Sequence, residues 1–515
     1  VSAYQGQRPS TADQPQRPRE IHTLARGTET HSFQQGRGGG GDGSGAMSMD
    51  EVLDTAKDAE QFWGILHGEQ EIDHSIFRLS QIINVPDGYN AVRPSTGNTV
   101  VVTLADHVSG DHPQVKVPEA NITKKAERRS EKIEKFLQAS YARFLSNEPM
   151  NQVRTMAMNF GWAGMAVSQG PIFIPDVWGL TPERENFDSL KEFEDAEAEY
   201  EATKRMRWPF WWRMVDPRYA FPDPGTTGKE YVIVQYERTV ASVRAQWPEW
   251  NGYRVGSKER LPSNHRVHWI EMWDESHRYY IAGGEMLDAS RHRYQKPPFQ
   301  TRAAGFGDDT GEPHERFQSI LYPARSLINQ EIRVLCQLDA IMRQSAWPTT
   351  LTPENSGLTE IIPGRIVPMK REDIEMTRPY SEIRGDVING LLQEHALISE
   401  GIEDATYPSV VKGVRVKGIG SGYGQNSLAA LGKIKFGTVA VSAQSLLQEF
   451  NEDYLRCVEI EVEESVPVWG QTKRGFVDFE IKPEDIDGYY YNIVTLNPKL
   501  PVDRANEIQI GGVLY

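Results

Sequence analysis

The sequence predicts an α+β protein in which long helices are separated by a β insertion and by a basic, glycine-rich loop. Helical spacing of apolar residues recurs over 313–346, 382–404 and about 427–464. Between 208 and 288 the pattern changes to aromatic and β-branched runs broken by turn residues, the signature of antiparallel strands. The stretch 405–437 reverses the charge of the chain: it holds Lys412, Arg415, Lys417, Lys433 and Lys435 with no Asp or Glu, in a protein of formal net charge -16.

With 515 residues the chain can bury several cores. Residues 1–47, rich in Gln, Arg, Gly, Ser and Pro, offer little to a core and read as a disordered arm. From Ser48, Val52, Ala56, Phe62, Ile65 and Leu66, then Ile76 and Leu79, fall at helical spacing. Tyr89–Leu104 mixes turn residues with the run Val100-Val101-Val102-Thr103, as a strand would. An amphipathic helix is expected over Lys124–Leu145 and another over Pro149–Val167, where Gly161 and Gly164 suggest close packing. Nine acidic residues between Glu183 and Glu201 read as a solvated helix face, since nothing nearby would separate their pKa values for catalysis. Strands follow at Tyr231–Val234 and through 265–288, with a hairpin at Gly283-Gly284.

Pro313, with Glu315 behind it, suits the first turn of a long helix that Trp347-Pro348 ends and Pro323 bends. The segment 347–381 has short β-branched pieces and a Pro363-Gly364 turn, a compact β insertion. A second helix spans Glu382–Asp404. The basic loop follows, its seven glycines implying a mobile or strongly bent backbone. A third helix runs from Ser427 to Glu464 with Gly432 and Gly437 as kink points, and strand pattern returns at Phe476–Ile481.

Enzyme chemistry finds no support in the motifs. Gly418-Ile419-Gly420-Ser421-Gly422-Tyr423-Gly424 misses the dinucleotide fingerprint, and Gly432-Lys433-Ile434 lacks the Ser or Thr of a nucleotide loop. His265 and His268 sit in a strand pattern at a spacing that turns them to opposite faces, so no metal or cofactor is expected. Cys336 and Cys457 lie far apart in helical patterns, which argues against a disulfide framework. No apolar run reaches the ~18 residues of a membrane span.

The order of these segments resembles the portal, or head-to-tail connector, proteins of tailed bacteriophages. The likeness is carried by Arg93-Pro94-Ser95 with Leu104-Ala105-Asp106, by Asn159-Phe160-Gly161-Trp162-Ala163-Gly164, by Asp216-Pro217-Arg218 with Phe221-Pro222-Asp223-Pro224, and by Phe317–Met342 leading into Trp347-Pro348. It covers about residues 50–510. The resemblance implies a phage portal-like fold: a wing at 48–312, stem helices at 313–346 and 382–404, a β clip at 347–381, a tunnel loop at 405–427, a kinked wing helix at 428–465, wing return strands at 466–503 and the start of a crown at 504–515. It implies a homo-oligomer, a dodecameric ring at one capsid vertex of the virion, assembled in the host cytoplasm. Double-stranded DNA would pass through it for packaging, retention and ejection.

On this reading Lys412, Arg415, Lys417, Lys433 and Lys435 face the DNA. Arg365, Lys370 and Arg371 of the clip contact neighbouring subunits, the terminase motor and then the head-tail adaptor, and the major capsid protein is a further partner. No membrane and no catalytic residue are implied. Two other readings stand beside it: a metal-dependent nucleic-acid-processing enzyme with the loop as a clamp, and a virion scaffold ring that never touches DNA.

Overall fold

The computed structural model describes residues 45–496 apart from 86–89, 111, 146–151, 226–229, 254–258, 309, 347–349, 354–365, 370–384, 408–410, 412–421 and 473–474. Its helices are α1 (Met49–Phe77), α2 (Thr96–Val108), α3 (Lys124–Leu145), α4 (Gln152–Ala163), α5 (Leu190–Met206), α6 (Val240–Gln246), α7 (Pro313–Arg316), α8 (Arg325–Ala346), α9 (Gly385–Ala405), α10 (Gly422–Glu461) and α11 (Pro483–Ile486). The mixture of helices and antiparallel sheets places the chain in the α+β class.

Two sheets form the body. β2 (Met165–Phe173) lies between β3 (Phe210–Val215) and β9 (Phe299–Ala303), antiparallel to both. A five-stranded antiparallel meander takes the order β4 (Ala220–Pro222), β5 (Val232–Thr239), β6 (Arg266–Trp273), β7 (His277–Ala282) and β8 (Glu285–Arg291). Gly283 and Gly284, both at positive φ, make the hairpin between β7 and β8, as the sequence predicts. The sheets are joined by a buried polar knot. The Glu271 carboxylate accepts from Trp273 Nε1 (2.9 Å), from Arg213 (3.0 Å) and from the Gln169 amide. Arg213 also donates to Gln169 Oε1, so this carboxylate is buried with its partners in place.

The C-terminal half of α10 is the spine of the core. Phe450 and Tyr454 are fully buried against Trp212, Phe136 and Phe210. Polar groups here are paired rather than excluded: Tyr141 donates to Asn451 (2.7 Å), and Asn451 to Asn492 (2.8 Å) on the segment leading to β14 (Ile493–Thr495). β14 pairs with β1 (Gln114–Lys116), and β12 (Val466–Thr472) with β13 (Gly475–Ile481), which closes the C-terminal part onto α3.

Several elements depart from the sequence-based expectation for tertiary reasons. The run Val100-Val101-Val102-Thr103 is helical, inside α2: Val100, Val101, Leu104, Ala105 and Val108 are all buried, and their spacing fits one face of a helix better than a strand. Gly161 on α4 allows the approach, since a Cβ there would lie 3.1 Å from Leu104 and Val101 side-chain atoms. Gly164, at φ +71, ends α4 before Val167, and a Cβ at that position would overlap the backbone of Phe317.

The same approach breaks the predicted long helix. Pro313 opens only the short α7. The chain then passes Gly164, makes a 3-10 turn at Tyr322–Ala324 around Pro323, and starts α8 at Arg325. Ser319 fixes the break by accepting from the N–H of Leu321 and Tyr322 and donating to Asp73. The nine acidic residues of 183–201 are all exposed, most of them on α5. The disordered arm lies outside the described residues except 45–47, and so does the crown segment 504–515.

α8 and α9 form an antiparallel hairpin, with Leu327 beside Gly401 and Gln330 donating to Glu394 (2.9 Å). Beyond it β10 (Thr350–Pro353) pairs in parallel with β11 (Ile366–Met369). The base of α8 is bolted to α1: the Arg325 guanidinium donates twice to the buried Asp73 carboxylate, one contact at 2.7 Å, and stacks over Tyr322.

Two predictions follow from these contacts. Arg325→Met strands a buried carboxylate and should cost about 3–5 kcal/mol in urea unfolding. On α1, burial pushes His67 and His74 down to about 4, Arg218 adding to the effect at His74, against about 6.5 in an unfolded chain. The unfolded state therefore binds protons first as the pH falls, so this stability is complete above about pH 6.5 and is lost progressively toward pH 4. Calorimetry across that range should show a falling midpoint, and a flat one would contradict the assignment.

Candidate functional site: the root of the basic loop

Of the cations singled out in the sequence, Lys412, Arg415 and Lys417 lie outside the described residues, as do Arg365, Lys370 and Arg371. Lys433 and Lys435 fall on the backbone of α10, which runs continuously through Gly432 and Gly437. The structure does describe how the loop is rooted, and the root is a buried clasp.

The clasp is assembled from three separate parts of the chain. α9 ends at Ala405, where the Thr406 hydroxyl donates to the Ile402 carbonyl (2.7 Å) and Tyr407 turns inward. Tyr407 is buried, and its hydroxyl donates to the Val100 carbonyl of α2 (2.7 Å), with the Thr99 carbonyl 3.3 Å away. Burial pushes this phenol well above its ordinary range, so it stays a donor at any working pH. Val411 is buried four residues on, and its carbonyl lies 3.4 Å from His107 Nε2 near the end of α2.

On the far side of the loop, Phe436 of α10 is fully buried, edge-on to Tyr407 at 5.2 Å and tilted against His107 at 4.9 Å. Aromatic pairs in these orientations add about 0.5–1.5 kcal/mol each beyond the area they bury. Both ends of the cationic stretch are thereby fixed to α2, at Thr99 and Val100 and, about two turns on, at His107. The sequence signalled the loop by its charge but not its root: His107 lies some 300 positions from its partners, and the one local cue is that Tyr407 and Phe436 bracket the glycines.

The hairpin that feeds this root is partly unburied. Met342 of α8 and Val387, Leu392 and Leu397 of α9 are exposed, whereas Ile398 and Ile402 near the root are buried. Glu331 of α8, also buried, accepts from the Thr96 hydroxyl of α2 (3.0 Å) and lies 3.7 Å from His395 Nε2 of α9.

Among the described residues no group of three or more His, Cys, Asp or Glu side chains could hold a metal ion, and His265 and His268 are both exposed. Nor is any described helix long and apolar enough to cross a membrane. No protein-family model matches the chain, and no curated protein matches it in sequence.

The clasp generates a graded expectation. Phe436→Ala should cost about 3–5 kcal/mol, and Tyr407→Phe about 1 kcal/mol, the net worth of one buried hydrogen bond. Urea unfolding of the two variants measures both values.

Proposed function

We propose that the protein is a portal-type connector: a ring of identical subunits that encloses double-stranded DNA and touches it through the basic loop. The observation that carries this reading is the arrangement around the root. A two-helix hairpin tipped by a small β pair delivers its second helix directly into an acid-free cationic glycine loop, and the loop returns through the longest helix into the core.

The electrostatics fit that task. A wall for a moving polyanion should carry few fixed cations, because each neutralised phosphate releases counterions and adds affinity that would hold the DNA in place. A chain of net charge -16 that exposes nine carboxylates between 183 and 201 repels the polymer over most of its surface. Cations confined to Lys412, Arg415, Lys417, Lys433 and Lys435 then give transient phosphate contacts without reading sequence. The exposed apolar residues of the hairpin supply surface for the neighbouring subunit, and the clip, with Arg365, Lys370 and Arg371, meets the terminase and later the adaptor.

Electron micrographs of the purified protein test the assembly: rings with a central channel of about duplex width are expected, and a monomer refutes the proposal. Leu392→Glu with Leu397→Glu should weaken subunit association at least about tenfold, since each buried leucine is worth about 1.5–3 kcal/mol. Replacing Lys412, Arg415 and Lys417 together by Gln should lower DNA packaging or retention while rings still form. Unchanged packaging removes the DNA role, and metal-dependent cleavage of DNA by the wild type would favour a nuclease instead.

A further inference from the structure

α2 touches both the stem hairpin and the root of the basic loop, and it is gripped without slack between them. At its first turn Thr96 bonds Glu331 of α8 (3.0 Å) and the Asn98 amide donates to the Phe77 carbonyl (2.9 Å). Gly97 sits where a Cβ would overlap the Ile76 side chain of α1 and lie 3.7 Å from Ile328 of α8. Mid-helix, Val101 and Leu104 press on Gly161 of α4. Within a turn of Gly97 the Thr99 and Val100 carbonyls hold the Tyr407 hydroxyl, and at the far end of the helix His107 meets the Val411 carbonyl and the Phe436 ring. Close-packed interiors have low compressibility and pass strain on rather than absorbing it.

We infer that α2 is a strut that couples the position of the stem hairpin to the geometry of the loop root, over the ~16 Å of helix between Thr96 and His107. Displacement of α8 at Ile328 or Glu331 moves α2 along or about its axis. The Tyr407 and His107 contacts, both anchored on α2, shift with it. Its use in regulating DNA contact rests on the portal reading, but the strut is a property of the single chain.

Hydrogen exchange by mass spectrometry on the purified full-length protein tests it. Gly97→Ala places a methyl against Ile76 and Ile328 at the stem end of α2. Exchange at 436–440, packed on His107 at the other end, should rise at least about tenfold relative to wild type, a change beyond the reach of an independent distant site. Two controls should leave the root unchanged: Gly64→Ala on α1, where a Cβ meets nothing within 4 Å, and Val267→Ala in the separate apolar cluster around Trp269. In the reverse direction Phe436→Leu, beside His107 at the far end, should raise exchange at 96–99.

If Gly97→Ala does not fold, Ile328→Val on α8 takes its place, with a smaller rise of about threefold expected. Root exchange that is unchanged in the folded variant, or raised equally by Val267→Ala, overturns the strut. Because no readout involves DNA or ring formation, that failure would leave the portal reading to the micrographs.

Discussion

The buried pair of Asp73 and Arg325 fixes where everything beyond it can go. Burial pushes the Asp73 carboxyl upward, and the Arg325 and Ser319 contacts oppose that shift, so the site is worth its desolvation only with every partner in place. Through Ser319 it sets the break between α7 and α8, and through Arg325 it sets the angle at which α8 leaves the body. The register of α9 on α8, and therefore the point at which the chain turns inward at Tyr407, follows from that start.

The sequence exposed what is periodic or locally coded and hid what depends on distant partners. α3 matches its expected limits, and α9 comes close to them, because their apolar spacing is regular over several turns. The Gly283-Gly284 hairpin was readable because two successive residues at positive φ need glycine. α2 looked like a strand because its β-branched residues carry a strand preference that packing against Gly161 overrides. The sequence showed a bend at Pro323 but not the break over 317–324, which depends on Gly164 and Asp73, both far away in sequence. At the candidate site the cations could be read from charge alone, whereas His107, Tyr407, Val411 and Phe436 form a site only when α2, α9 and α10 meet.

Charge and burial divide the labour. Exposed carboxylates are concentrated around α5, while the buried Glu271, Asp73 and Asp453 each hold an arginine, a lysine or several hydrogen-bond donors. The negative charge of the chain therefore acts on its surroundings without loading the core.

Among the described residues, the hairpin of α8 and α9 is tied to the body near its base. The Cys336 thiol, which accepts from the Val92 N–H at 3.3 Å, is a late tie between α8 and the body. The ten residues from there to Ala346 extend about 15 Å. A beam clamped at its base and loaded at its tip bends most easily as a whole: a tilt of about 10° carries the tip by about 3 Å. Force applied at the far end would therefore arrive at Cys336, Glu331 and Arg325 as torque, multiplied by the length of the arm.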